Sequence, residues 1–117
     1  ENICKGFQFY RANLFTEDGL PKYYHNRLYP IDIHAIAYSI ITLVEFEALD
    51  SGNIDLANRV FTWAAREMQA EKGYFFYQKN RYFKNRIPYM RWSQAWMLYA
   101  LAILQHAVSG KDNAPLQ

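Results

Sequence analysis

An eleven-residue pattern, E-x-G-x-x-x-Y-x-x-N-R, occurs at residues 17–27 of this chain and again at residues 71–81. The five identities lie at a constant offset of 54 positions, and each copy follows one apolar periodic segment and precedes another. A unit that recurs at this spacing is typical of helical repeat proteins, in which each unit buries its apolar face against a neighbour. The pattern therefore predicts one structural unit built twice.

Apolar residues at helical spacing predict four helices. Their approximate ranges are residues 2–15, 32–49, 53–70 and 90–108. The third predicted helix has one apolar face, which indicates an outer position. The fourth is apolar over nearly its whole circumference, which indicates that neighbours cover it on several sides. Ser109 and Gly110 end this last helix, and residues 111–117 are predicted to form a flexible tail.

Two aromatic segments between the helices, at about residues 20–30 and 74–84, predict small β-hairpins. Aromatic residues favour strands, and asparagine tolerates the turn between them. Gly19 and Gly73 precede these segments and can adopt the positive φ that ends a helix. We therefore predict an all-α fold, an antiparallel helix-pair repeat with two small β-hairpins, as a single domain over residues 1–110.

The composition predicts a sizeable core and a surplus of aromatic residues. Hydrophobic residues make up 51% of the 117 residues, and there are ten Tyr, eight Phe and three Trp. Because Tyr and Trp each need a partner for a polar atom, we expect some of these rings to line a binding surface. The formal charge is +2, with both signs mixed along the chain, which argues against a nucleic acid as the partner.

Cys4 is the only cysteine, which excludes an intrachain disulfide and a cysteine-rich metal site. The histidines match no metal-binding motif, and no phosphate-binding or dinucleotide-binding glycine pattern is present, so neither a metal nor a cofactor is predicted. The longest apolar run, residues 95–104, is about half the length of a membrane span. We predict no membrane span and a reducing, cytoplasmic location. Because the first residue is Glu, we expect the chain to be a piece of a longer one.

The passage from Asn85 to Trp92, N-R-I-P-Y-M-R-W, leads from the second predicted hairpin into the fourth helix. It resembles the C-terminal helical part of glucuronyl C5-epimerases and the helical proteins that accompany bacterial polysaccharide-biosynthesis genes. The order of outer helix, hairpin and inner helix also resembles the α/α-toroid (six-hairpin) enzymes, which include glycosidases, polysaccharide lyases and sugar epimerases. Such toroids contain many more helices than the four predicted here, so the chain corresponds to a fragment of the ring.

The resemblance implies a carbohydrate partner, bound where the hairpins meet the N-terminal ends of the inner helices. Tyr and Trp rings there can pack against sugar rings, while Arg and helix N-termini can hold carboxylates. The candidate substrate-binding residues are Tyr24, Tyr29, Tyr74, Phe76, Tyr89, Trp92 and Gln94. If the site is catalytic, the expected chemistry is epimerisation or elimination at a uronic acid, or glycoside hydrolysis. Asp32, His34 and Arg91 are then the candidates for proton transfer and carboxylate binding.

Several of these candidates also have a purely structural interpretation. Asp32 stands at the position of a helix N-cap, and His34 can be a hydrogen-bonded histidine at the same helix start. Trp92 can be a core residue. Arg27 and Arg81 are interpreted as packing residues of the hairpins, because a structural role is needed in both copies whereas a catalytic one is not.

The alternative function is a non-catalytic helical-repeat scaffold. Two units leave apolar helix faces that neighbouring units would ordinarily cover, and such faces can bind another protein or a second copy of the chain. A homo-oligomer formed through uncovered helix faces is the corresponding prediction.

Overall fold

The computed structural model describes residues 1–112, apart from the side chains of Trp92, Lys111 and Asp112. Most of this part of the chain is helical. Its α-helices are α1 (Asn2–Asn13), α2 (Ile33–Glu45), α3 (Asn53–Met68) and α4 (Trp96–Asp112). A short 3₁₀-helix, Glu47–Leu49, follows α2, and a π-helical segment, Met90–Ala95, leads into α4. The predominantly helical character predicted from hydrophobic spacing is confirmed.

The helix ends differ from the predicted ranges by a few residues. The regular part of α2 ends at Glu45, because the chain tightens into the 3₁₀-helix over the last predicted turn. At the other end of the chain, α4 continues to Asp112. The predicted tail, 111–117, therefore begins inside a helix, and residues 113–117 lie outside the described residues.

Helix α2 lies at the centre of the fold and packs against both α3 and α4. Its apolar residues recur at helical spacing and form a buried stripe that consists of Ile33, Ile36, Ala37, Ile40 and Leu43. Removing one Ile side chain from water contributes about 1.5–3 kcal/mol, so this stripe supplies a large share of the core energy. Helix α3 adds a buried face of its own, formed by Ala57, Val60, Ala64 and Met68.

Helix α1 is peripheral, and Phe7 is its only buried residue. The Phe7 ring stacks on Phe46, with 5.5 Å between ring centroids. Arg11 Nε donates to Asn53 Oδ1 at 3.2 Å, and Asn53 Nδ2 donates to the carbonyl of Phe46 at 2.8 Å. Because Asn53 is fully buried, these bonds satisfy its amide and attach α1 to the turn between α2 and α3.

The strands form one three-stranded antiparallel sheet, whereas two separate hairpins were predicted. The strands are β1 (Ile31–Asp32), β2 (Gln78–Lys79) and β3 (Lys84–Asn85), in the order β1-β2-β3. The β2–β3 pair forms within the second predicted hairpin. The first predicted hairpin, 20–30, is reduced to a bridge between Tyr24 and Arg27. Pro21 and Pro30 remove N–H donors from this segment, and the residues after Pro30 pair with β2 instead.

The first copy of the repeated pattern begins with a tight turn after α1. The N–H of Thr16 donates to the carbonyl of Leu20 at 2.9 Å, and the N–H of Gly19 donates back to the carbonyl of Thr16 at 2.9 Å. A third bond joins the N–H of Lys22 to the carbonyl of Leu14 at 2.8 Å. Gly19 has φ = +87°, a conformation that favours glycine. The glycine of the pattern is therefore required by the backbone.

The second copy forms the same three hydrogen bonds 54 positions later. The N–H of Ala70 donates to the carbonyl of Tyr74 and the N–H of Gly73 to that of Ala70, both at 2.8 Å. The N–H of Phe76 donates to the carbonyl of Met68 at 2.7 Å. Gly73 has φ = +98°. The first half of the sequence pattern thus encodes one backbone turn, which the chain uses at the ends of α1 and α3.

The start of the last helix is irregular. The π-helical segment Met90–Ala95 follows Tyr89, whereas a continuous helix was predicted from residue 90. Ser93 is fully buried, and its hydroxyl donates to the carbonyl of Tyr89 at 2.8 Å, which satisfies both groups. Among the described residues, no helix has the length and apolar character needed to cross a membrane.

Candidate functional site

The predicted site lies where the sheet meets the N-terminal end of α2, and Asp32 stands at its centre. Its Oδ1 accepts a hydrogen bond from the backbone N–H of His34 at 2.7 Å, which makes Asp32 the N-cap of α2. Its Oδ2 accepts from Gln78 Nε2 at 2.9 Å. The residue is only 5% exposed. Both carboxylate oxygens are thus engaged in positioning α2 and β2, and the role of Asp32 in proton transfer stays a prediction.

His34 belongs to an aromatic stack formed by His34, Tyr38, Trp96 and Tyr99. The imidazole centroid lies 4.7 Å from that of Tyr38 and 5.5 Å from that of Trp96. Tyr38 and Trp96 are 4.8 Å apart, and Trp96 and Tyr99 are 6.3 Å apart. Tyr38 is 43% and Tyr99 52% exposed, so the stack reaches the surface. Within residues 1–112, the buried Nε2 of His34 has no hydrogen-bond partner.

A second group of rings, called here the tyrosine cluster, consists of two pairs: Tyr23 with Tyr24, and Tyr77 with Tyr89. The backbone carbonyl of Tyr77 accepts a hydrogen bond from the N–H of Ile33, the first residue of α2, at 3.0 Å. The Tyr23 and Tyr24 rings meet edge to face at 4.7 Å, as do Tyr77 and Tyr89 at 5.0 Å. Partial burial raises the pKa of the Tyr77 phenol, the Asp32 carboxylate raises it further, and the phenols of Tyr89 and Tyr23 add to the effect. Tyr77 therefore stays a neutral phenol at neutral pH.

Tyr23 and Tyr77, the two tyrosines of the repeated pattern, were not among the predicted site residues. The Tyr23 phenol contributes, as the smallest of the causes, to the raised pKa of Tyr77. Their identity at equivalent positions was the available sequence signal. Tyr38 and Tyr99 were also missed, although His34 and Tyr38 have the four-residue spacing of neighbours on one helix face.

The predicted aromatic residues of the second hairpin lie on two sides of the chain. Successive residues of an extended segment point in opposite directions, which separates Phe76 from the neighbouring Tyr77. The Phe76 ring is buried and lies 6.0 Å from Tyr74. Lys84 Nζ and Arg86 Cζ lie 5.8 and 5.3 Å from its centroid. The tyrosine cluster therefore contains neither Tyr74 nor Phe76.

Other predicted residues have structural contacts. Gln94 Oε1 accepts a hydrogen bond from the N–H of Phe75, and its Nε2 donates to the carbonyl of Phe75, both at 2.8 Å. The side-chain amide of Gln94 thus pairs with the backbone of Phe75 as a neighbouring strand would. Tyr29 is half-buried and packs against the core. Arg91 is exposed on the π-helical segment, and the side chain of Trp92 lies outside the described part of the structure.

The repeated arginines stack on tyrosines, but not on those of the pattern. The Arg27 guanidinium lies 4.1 Å from the centroid of Tyr24, and that of Arg81 lies 5.6 Å from the centroid of Tyr82. Such cation–π contacts are worth about 0.5–1 kcal/mol at exposed sites. Arg27 thereby orients one ring of the tyrosine cluster.

Among the described residues, no group of three or more His, Cys, Asp or Glu side chains could hold a metal ion. Cys4 is exposed on α1 and is unpaired. Comparison of the chain with protein-family models, with curated proteins and with solved structures found no match.

Proposed function

We propose that this chain binds a glycan at the tyrosine cluster and that it is part of a carbohydrate-active or polysaccharide-biosynthesis protein. The observation that carries the proposal is the two edge-to-face pairs of tyrosine rings, of which Tyr23, Tyr24 and Tyr89 are exposed. Flat rings offer apolar surface to the ring faces of sugars at a small cost in conformational entropy, and phenol hydroxyls can exchange hydrogen bonds with sugar hydroxyls. Arg27 stiffens one side of this surface by stacking on Tyr24.

The proposal includes the α/α-toroid relationship that the sequence resemblance implies. Its support is the turn that recurs after α1 and after α3 with the same hydrogen bonds. An outer helix, this turn, a strand or hairpin segment and an inner helix then follow in the same order twice. In such an arrangement, the segments that join outer to inner helices lie at one end of the helices, which is where the tyrosine cluster lies. Asp32, His34 and Arg91 stay the predicted residues for any proton transfer and carboxylate binding.

The test is an NMR titration of the full chain with neutral and uronate-containing oligosaccharides. We expect saturable shifts of the ring signals of the tyrosine cluster. Tyr24→Ala and Tyr89→Ala should each weaken binding about tenfold, as truncation of a central aromatic contact commonly does. Tyr82→Ala is the matched control, because Tyr82 is 87% exposed at the tip of the second hairpin and is not in the cluster.

Two results would contradict the proposal. One is the absence of saturable shifts with every acidic and neutral glycan at millimolar concentration. The other is binding that Tyr82→Ala weakens as much as Tyr24→Ala does.

A second candidate function, self-association, is favoured by the outer surface of α4. Leu98 is 71% exposed there, next to exposed Tyr99. Apolar side chains on one uncovered helix face are typical of an interaction surface. Light scattering during size-exclusion chromatography tests this candidate. We expect a dimer or larger species that Leu98→Asp converts to a monomer, and a strictly monomeric wild-type chain would exclude it.

A further inference from the structure

A cleft of about 450 Å³ lies between the first copy of the repeated turn and α3, and is called here the α3 cleft. Its volume falls within the range of about 300–1,000 Å³ that is typical of small-molecule sites. One wall contains Thr16 and Leu20 from the turn, with Leu28 beyond them. The cleft involves neither the tyrosine cluster nor the aromatic stack.

The other wall is one face of α3. Arg59, Thr62, Trp63 and Arg66 line the cleft, and they follow the spacing of neighbours on one helix side. The two arginines lie seven residues apart, about two turns, and the hydroxyl of Thr62 and the indole of Trp63 lie between them. The flat indole of Trp63 therefore lies between the two guanidinium groups along the helix.

Arg59 is the first reason to expect an anionic ligand. Within residues 1–112, its guanidinium makes no hydrogen bond, ion pair or ring contact. It lies beside the repeated turn, where Arg59 Cζ would be 3.7 Å from a Cβ atom built on Gly19. The guanidinium thus lies within ordinary van der Waals range of the turn.

Arg66 provides the second reason, because Glu67 has other partners. Arg66 Nε lies 3.2 Å from Glu67 Oε1 in an exposed pair of adjacent residues, an arrangement that contributes little. Glu67 is also 2.9 Å from Lys79 Nζ and 4.0 Å from Lys84 Nζ. These lysines compensate the Glu67 charge without Arg66, whose guanidinium can turn towards the cleft.

The charges around the cleft sum to an excess of positive sign. Two cations, Arg59 and Arg66, line the cleft with one carboxylate, Asp18, and Lys79 Nζ lies 5.4 Å from the ring centroid of Trp63. Asp18 also lines the cleft, so a ligand that approaches it needs a donor there rather than a second acceptor. The local field favours an anion of small size.

We infer that the α3 cleft binds a small organic anion in which a carboxylate or phosphate is attached to a flat apolar ring. The ring would pack against Trp63 and the leucines, and the anionic group would bind Arg59 and Arg66, whose guanidinium donors match oxyanions in geometry. This inference goes beyond glycan binding and does not depend on it, because it concerns a different cleft and different residues.

The experiment is calorimetry of the full chain with benzoate and phenyl phosphate, combined with NMR observation of the Trp63 indole N–H. We expect saturable binding by at least one of the two, a shift of the Trp63 signal, and affinity that falls as salt is raised. The two probes distinguish a carboxylate ligand from a phosphate ligand. Benzyl alcohol, which keeps the ring without the charge, should not bind measurably.

Arg59→Gln is the decisive variant, because it keeps part of the side-chain stem and removes the charge. It should weaken anion binding roughly tenfold or more, since hydrogen bonds to charged groups are the stronger kind. Arg81→Gln is the control on the second hairpin and should leave affinity unchanged. Arg59→Gln should not alter the melting temperature, because no interaction within the described chain is lost.

The inference is overturned if neither probe binds at millimolar concentration, or if Arg59→Gln and Arg81→Gln bind alike. It is also overturned if Tyr24→Ala abolishes binding of the probes, because they would then occupy the tyrosine cluster. Glycan binding can fail or succeed independently of all these outcomes, so the two proposals are tested separately.

Discussion

The two copies of the repeated turn share their hydrogen bonds but lead into different structures. After the first, the chain forms a single bridge between Tyr24 and Arg27 and reaches α2 through the Asp32 cap. After the second, it forms the β2–β3 hairpin and reaches α4 through a π-helical segment. The same turn is thus compatible with two different continuations. Side chains outside the identical positions decide which one forms.

One pair of equivalent residues accounts for part of this difference. Phe75 occupies in the second copy the position of Pro21 in the first, 54 residues earlier. Phe75 presents an N–H and a carbonyl, and Gln94 binds both. Pro21 has no N–H that would need a partner, and His34 lies near the start of α2 as Gln94 lies near the start of the last helix. The imidazole of His34 instead joins the aromatic stack.

The largest expected effect comes from substituting the glycines of the two turns. A Cβ atom on Gly19 would lie 2.8 Å from Leu56 Cδ1, whereas a Cβ atom on Gly73 would have no neighbour within 4 Å. Gly73→Ala should therefore cost only the strain of a positive φ, about 1–2 kcal/mol. Gly19→Ala adds overpacking of about 1–3 kcal/mol. Urea unfolding of both variants measures the difference, and equal losses would mean that the core yields to the extra methyl.

Gln94→Ala tests the bond that only the second copy has. Both polar groups of the Phe75 backbone lose their partner, so we expect the free energy of unfolding to fall by about 1–3 kcal/mol. Gln105→Ala is the control, because Gln105 is exposed on α4, and a change within about 0.5 kcal/mol is expected there. If both variants are equally stable, water replaces the Gln94 amide, and the hydrogen bonds between Gln94 and Phe75 do not stabilise the second turn.

The smallest effect concerns the ion pairs of the second hairpin, which the first copy lacks. A hydrogen bond from Lys79 lowers the pKa of Glu67, and the positive charges of Lys79 and Lys84 and the bond from Arg66 lower it further. A carboxyl whose pKa is lower in the folded state stabilises the fold above its ordinary pKa. This contribution is lost as the pH falls below the ordinary pKa of a glutamate towards the lower pKa of the folded state.

In Glu67→Gln, the melting temperature should therefore fall less between about pH 5 and pH 3 than it does in the wild type. Glu47→Gln, at an exposed position in the 3₁₀-helix, is the control and should keep the wild-type slope. If the melting temperature of Glu67→Gln changes with pH as steeply as that of the wild type, the ion pairs with Lys79 and Lys84 do not contribute to stability in solution.

Much of the local structure could be predicted because it depends on neighbours in sequence. The apolar spacing of α2 requires a helix whose buried stripe contains Ile36 and Ile40. A glycine at the turn was predicted from the repeated pattern, and the positive φ of Gly19 and Gly73 supplies its reason. Asp32 was interpreted as a possible N-cap on position alone, and its Oδ1 makes that bond.

The composition of the candidate site could not be predicted to the same degree. The sequence grouped Tyr74, Phe76 and Tyr89, but alternation along an extended segment separates the first two from the third. The bond between Gln94 and Phe75 spans 19 residues, and that between Gln78 and Asp32 spans 46. Contacts of this range depend on how the helices pack, for which local periodicity carries no signal.

By itself, the sequence determined the helices and the glycine turn that occurs twice, because both follow from backbone conformation and short-range apolar spacing. The tertiary structure alone decided which side chains meet. It joined Ile31–Asp32 to the second hairpin, bonded Gln78 to Asp32, and opened the α3 cleft between residues far apart in the chain. The physical reason is that a buried apolar stripe requires some neighbour to cover the helix but does not specify which one. The element that covers it determines which side chains lie beside the exposed residues.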